Sequence, residues 1–227
     1  MLKACDGGVS MNRCEYYLNE LSSHISSLRQ ELGNINIAAG ILADAQNNNR
    51  LIHVFGTEPT TSALITEVFF RPGMPMNINP ILDPSLDIAH GAYRNAMCQD
   101  LDGLAPCILD YYEYVEAGEP ILLLGSNPSL PMFAQALRWA KAKGLRTIAV
   151  LSGNGDYHCD AEVVLYTHEN TVNEQAVLLA ALMQLVMSVT VEKLSECETQ
   201  IWTGLHAVDL AANQNKIDSL LFRIRHL

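Results

Sequence analysis

The stretch that most narrows the possible folds of this chain is EPILLLGSNPSLPMFAQALRWAKAKGLRTIAVLSGNGD, Glu119 to Asp156. Ile121–Leu124 and Thr147–Leu151 are short apolar runs without polar alternation. Between them, Leu130–Lys143 carries helical periodicity and closes on Gly144. Two strands apolar on both faces and joined by a helix form a βαβ unit, and such units build parallel sheets covered by helices on either side.

The same alternation extends in both directions. Leu51–Phe55 is a further apolar strand, Glu162–Tyr166 another, and Met76–Leu82 a possible one that Pro80 confines to an edge or a short piece. Ala63–Arg71 is expected to be helical and to stop at Pro72-Gly73, Asp83–Tyr114 to hold two or three short helices, and Thr171–Leu194 and Ile217–Ile224 to be later helices. Ahead of the first strand, Leu18, Leu21, Ile25, Leu28 and Leu32 recur at helical spacing as one apolar stripe. Gly33-Asn34 interrupts the pattern, and a second helix runs to Ala45 before the turn Asn47-Asn48-Asn49. The expectation is a flexible segment over 1–10 and one α/β domain over 11–227 that opens with a helical pair. Apolar surface on the first and the long helix beyond what a sheet face covers implies a homodimer or homotetramer.

With 25 acidic against 14 basic residues the chain carries a formal charge of −11, which argues against nucleic acid held on a basic surface. No apolar run reaches the roughly 18–20 residues that span a bilayer. Met1–Ser10 lacks an apolar signal core, so a cytoplasmic setting without membrane association is expected. The six cysteines show no CxxC or CxH spacing and read as reduced thiols, several of them buried. No metal constellation and no dinucleotide fingerprint is present, so no cofactor is expected.

In a parallel sheet, ligands bind beyond the carboxyl ends of the strands. Two polar loops fall there. In the first, Gly56 permits a sharp turn and Thr60, Thr61 and Ser62 bring hydroxyls to the start of a helix. An anion would be favoured at such a place, and ordinary capping accounts for the same residues. In the second, Gly125-Ser126-Asn127-Pro128-Ser129 has the same layout, with Ser126 the better hydroxyl, but Pro128 and Pro131 bring no N–H donors.

The stretch LLLGSNPSLPMFAQALRWAKAKGLRTIAVLS resembles the second half of a sugar isomerase (SIS) domain. LIHVFGT, EVFFRPG, INPILDPSLDIAHGA and IWTGLHAVDLAANQNKIDSL are similar to segments of a small bacterial family of SIS proteins that carry a phosphoheptose isomerase label. The resemblance implies a three-layer α/β/α sandwich around a five-stranded parallel sheet, self-association, and a phosphorylated sugar bound between strand ends. It matches Gly56, Thr57 and Thr61 to the first loop, Glu67 to the glutamate before FFR, Asn79, Pro80 and His90 to the NPIL and HGA regions, and Ser152 to the end of the fourth strand. The chain departs from that pattern at Glu58-Pro59, where a carboxylate pointing inward would repel phosphate, at Gly125 to Pro128, where hydroxyls are lost, and at the shortened Gly153-Asn154-Gly155-Asp156.

Aldose–ketose isomerisation needs a base that moves a proton between adjacent carbons. The candidates are Glu67, for which a buried ion pair with Arg71 is the alternative, Glu174, for which a capping box with Thr171 is the alternative, and His90. His206 is a lesser candidate, and His53 reads as a packed strand residue. The phosphosugar contacts expected are Gly56, Thr57, Thr60, Thr61, Ser62, Gly125, Ser126, Asn127, Ser129 and Ser152. Three readings stay open: a sugar-phosphate isomerase, a non-catalytic module that senses a phosphosugar or nucleotide-sugar, and a structural oligomer with a degenerate site.

Overall fold

The structure, a computed structural model, describes residues 12–112, 115–169, 174–204 and 209–227. The expected flexible segment 1–10, Thr171 and His206 lie outside the described residues. Two helices come first, α1 (Arg13–Ser27) and α2 (Leu32–Asn47), joined by a 3-10 turn over Leu28–Glu31. Then follow β1 (Ile52–Gly56), α3 (Pro59–Leu64), β2 (Ile78–Ile81), α4 (Ala92–Gln99), α5 (Leu104–Tyr111), β3 (Pro120–Gly125), α6 (Pro131–Ala142), β4 (Arg146–Leu151), β5 (Val163–Tyr166), α7 (Gln175–Glu192), α8 (Cys197–Gln200) and α9 (Leu210–Leu220).

The five strands pair in parallel in the order β2-β1-β3-β4-β5. Successive residues of a strand point to opposite faces, and both faces here are core. Leu122, Leu124, Ile148 and Val150 pack with Ile35, Leu42, Leu179 and Met183 from α2 and α7. Ile121, Leu123, Ala149 and Leu151 pack with Ile108, Met132, Phe133 and Ala136 from α5 and α6. This is the three-layer α/β/α sandwich with a five-stranded parallel sheet and added N-terminal helices. Helix α7 has the length and hydropathy of a membrane span, yet Leu178, Leu182, Met183, Val186 and Met187 are buried in the core.

β2 is an edge strand, and Pro80 sits in it opposite Val54 of β1, as a residue without an N–H requires. Near the amino ends of the strands a buried chain of polar groups ties β1, β2 and β3 together. The Asn79 amide donates to His53 Nδ1 (3.0 Å) and His53 Nε2 faces Glu119 Oε2 (2.8 Å). The two oxygens of Glu119 also accept the backbone N–H groups of Leu51 (2.8 Å) and Glu116 (2.9 Å). Burial alone would raise the Glu119 pKa, but the hydrogen bonds and the histidine outweigh it and hold the carboxyl below its ordinary value.

Several boundaries differ from those expected. The N-terminal helices break at Leu28–Glu31 and not at Gly33-Asn34, because the tighter turn swings Leu28 and Glu31 inward. Of the stripe only Leu28 reaches the core: α1 has no buried residue, and Leu18, Ile25 and Leu32 are exposed. Helix α3 starts at Pro59 and not at Ala63, since proline is preorganised for the first helical position. The last helix begins at Leu210 because the Asp209 carboxylate accepts from the N–H groups of Ala211 and Ala212. The described cysteines are free, as expected, but none is fully buried.

Candidate functional site

The strand order reverses between β1 and β3, and the crevice beyond their carboxyl ends is where an open α/β sheet takes its ligand. Gly56 and Gly125 end these two strands. Neither has a left-handed backbone, so neither is there for a sharp turn. They are there for space: a Cβ on Gly56 would lie 2.5 Å from the Thr61 carbonyl oxygen, and one on Gly125 2.7 Å from Phe133 and 2.8 Å from Thr57 Oγ1. The hydroxyls beside them are largely committed. Thr57 Oγ1 donates to the Leu124 carbonyl across the two strands (3.0 Å), and Thr61 Oγ1 closes the start of α3 by accepting Glu58 N–H (3.0 Å) and donating to Glu58 O (2.9 Å). Asn127 turns back to accept Ser129 N–H (2.8 Å), and Ser129 is exposed.

Ser126 makes the decisive contact. Its backbone N–H donates to Glu58 Oε2 (2.6 Å) and its hydroxyl to Glu58 Oε1 (2.7 Å). Glu58 points inward and bridges the crevice from the β1 side to the β3 side. Both donors of Ser126 are taken by a carboxylate of the chain itself.

A second group of polar residues gathers at the carboxyl ends of β4 and β5. Ser152 is buried, and its Oγ accepts from the Gln175 amide at the start of α7 (3.0 Å). The β5 end is closed onto the β4 loop by Gly153 N–H to Thr167 Oγ1 (3.1 Å) and His168 N–H to Gly153 O (2.9 Å). His168 has a left-handed backbone (φ 58°), a costly conformation for a residue with a side chain, and its Nε2 meets Glu31 Oε1 at 2.7 Å. The His24 ring from α1 is hydrogen-bonded to Glu174.

Among the described residues, Glu169 has no ion pair of its own. It is 4% exposed, and among the described residues its Oε2 has no hydrogen-bond partner. Desolvation raises its pKa; hydrogen bonds from the Gly153 and Glu169 backbones and the nearby His24 oppose this, while the Glu174 charge adds to it. A buried carboxyl that holds its proton more tightly than usual, at a strand end, has the makings of a general acid or base. The sequence reading passed over Glu169, His24 and His168. The available signal was a carboxylate three residues past an apolar strand in an α/β chain.

The remaining candidates lie apart. Glu67 forms a half-exposed ion pair with Arg71 (2.9 Å), the expected alternative, though on the surface. His90, Thr60 and Ser62 line a cleft of about 460 Å³ between α3 and the segment after β2, with Asp83 and Asp87 on its walls. Among the described residues, no group of three or more His, Cys, Asp or Glu has the geometry of a metal site.

The family model of the SIS domain matches residues 16–152, which include the Glu58–Ser126 crevice. The chain belongs to the SIS-domain family. Glu169 and Glu174 lie beyond the matched stretch. Among curated relatives, the SIS chain is 30% identical over 125 residues to a UPF0309 protein of Geobacillus thermodenitrificans, covering 55% of this chain and 49% of that protein. It is 27% identical over 137 residues to a UPF0309 protein of Geobacillus kaustophilus, covering 60% and 54%. The chain thus spans about half the length of the curated relatives it matches. Among solved structures, a phosphoheptose isomerase from Francisella tularensis superposes with a TM-score of 0.63 at 11% identity, over 82% of this chain and 100% of that one. One from Neisseria gonorrhoeae gives 0.59 at 14% identity, over 78% and 96%. At these identities the likeness is one of fold, and the fold is that of the SIS domain.

Proposed function

We propose that residues 11–227 form one SIS domain that binds a phosphorylated sugar at the carboxyl ends of β1, β3 and β4 in the cytoplasm. The observation that carries this reading is the fork of Ser126 N–H and Oγ–H, which already holds an oxyanion, that of Glu58, at the point where the strand order reverses. The sugar would extend from there toward Ser152 and Gln175. The isomerase names of the superposed proteins support the same ligand class.

Aldose–ketose isomerisation is the reaction that the surroundings of Glu169 suit best. Ionised, its carboxylate takes the proton from the carbon beside the substrate carbonyl and leaves an enediolate. The adjacent hydroxyl proton passes to the former carbonyl oxygen, and the carboxylic acid so formed returns its proton to the former carbonyl carbon. Two of the three carboxylate and histidine candidates from the sequence, Glu67 and Glu174, are engaged with Arg71 and His24, which favours Glu169 for this part. The same engagement supports non-catalytic sensing as the second reading. The exposed side chains Tyr16, Leu18 and Ile25 of α1 support self-association with a second copy of the chain.

A thermal-shift screen against sugar phosphates, with the parent sugars and inorganic phosphate as controls, tests the ligand. A compound at a hundred times its dissociation constant adds about 2.7 kcal/mol. A shift with one sugar phosphate and not its parent is the expected result; no shift with any of them refutes the reading. Turnover of the compound that binds, lost in Glu169→Gln, separates the enzyme from the sensor.

A further inference from the structure

The anion of the proposed ligand and the Glu58 carboxylate have the same two partners. One Glu58 oxygen accepts the Ser126 N–H and the other its hydroxyl, 2.6 and 2.7 Å away. Two oxygens of a phosphate would present the same fork. We infer that Glu58 is a built-in competitor for the ligand's phosphate, and that it sets how tightly this SIS domain binds phosphorylated compounds.

The inference rests on the reading that the ligand's anion seats on Ser126. Three features carry it further. The backbone of Glu58 is anchored on both its N–H and its carbonyl by Thr61 Oγ1, so the carboxylate can leave by side-chain rotation, giving up its capping-box contact with the Thr61 N–H while the first turn of α3 stays tied by that hydroxyl. The residue is half-buried, so a displaced carboxylate has water to turn into. Last, the residue after Glu58 is Pro59, which brings no N–H beside the carboxylate. A dianion arriving in the crevice must therefore break two charge-assisted hydrogen bonds and then stand beside the carboxylate it displaced. Phosphate binding becomes an exchange of one anion for another.

The test is calorimetric titration of wild type, Glu58→Ser and Glu58→Gln with inorganic phosphate and with the sugar phosphates of the thermal-shift panel. Serine is itself a good residue to precede a helix, so E58S keeps the start of α3 and frees Ser126. The E58S variant is expected to bind phosphate compounds about tenfold or more tightly than wild type, since a hydrogen bond to a charged group is worth at least that factor. E58Q keeps an acceptor near Ser126 without the charge, and is expected to fall between the two. Adding Ser126→Ala to E58S is expected to remove most of the gain. Should E58S fail to fold by circular dichroism, a gain in E58Q carries the same conclusion. Equal affinities in wild type and both variants would overturn the competitor role and leave the ligand class standing. No binding by any of the proteins would overturn both.

Discussion

The closeness of α3 to the end of β1 can be measured with one methyl group. A Cβ added at Gly56 would stand 2.5 Å from the Thr61 carbonyl oxygen and equally near the Ser62 backbone. Ordinary contact begins about 1 Å further out, and what it meets is helix backbone that cannot rotate away. Gly56→Ala therefore has to push α3 off the strand. Overpacking of this kind costs about 1–3 kcal/mol, and the rigid neighbours place this case near 3. For a chain of this length that lowers the melting temperature by roughly 6–12 °C. Gly40→Ala is the matched control. Gly40 lies inside α2, with nothing within 4 Å of its added Cβ, so the same substitution should stabilise by about 0.5–1 kcal/mol through helix propensity. Urea unfolding followed by circular dichroism, at one fixed protein concentration, reads both. A G56A variant within about 1 kcal/mol of wild type would refute the packing argument.

Further outcomes follow from the charged groups and the exposed helix. Glu169→Gln should lower turnover of an identified substrate by about a hundredfold or more. Because the folded carboxyl of Glu169 has a raised pKa, its contribution to stability is full below the ordinary value of 4.5 and is lost as pH rises through the folded value. The variant's gain in melting temperature over wild type should therefore grow with pH; a gain independent of pH would count against it. Glu119→Gln should cost about 3 kcal/mol at neutral pH, since it breaks a buried pair with His53. That cost should shrink as pH falls below 4.5 through the lowered folded value of Glu119, and acid unfolding curves of the two proteins would show whether it does. Leu18→Glu with Ile25→Glu places two charges on the exposed stripe of α1 and should shift the mass by light scattering to that of a monomer; an unchanged mass refutes self-association through α1.

The strands were legible because each is a short apolar run with both faces in the core, and Pro80 even marked its strand as an edge. The first helix was legible from its spacing, but what its stripe faces was not. Leu18, Ile25 and Leu32 have core spacing but face outward, and spacing alone does not say what a stripe faces. The site divided in the same way. Glycines and hydroxyls in loops after strands could be located, yet the role of Gly56 is lateral space, and those of Thr57 and Thr61 are bonds to neighbouring backbone. The partners of Glu58, Glu174 and Glu31 are 68, 150 and 137 residues distant. No local pattern encodes a pairing that only the crossing of the chain creates.

His24, which accompanies Glu174, is carried by α1, a helix of 15 residues with none buried. A helix of that length with so little support is marginal in water, and its local opening lies at the low end of the stability range. Each opening withdraws the imidazole, which leaves Glu174 without its hydrogen-bond partner and removes an influence that lowers the pKa of the buried Glu169. A histidine held on so lightly supported a helix makes this end of the site only as well ordered as α1 itself.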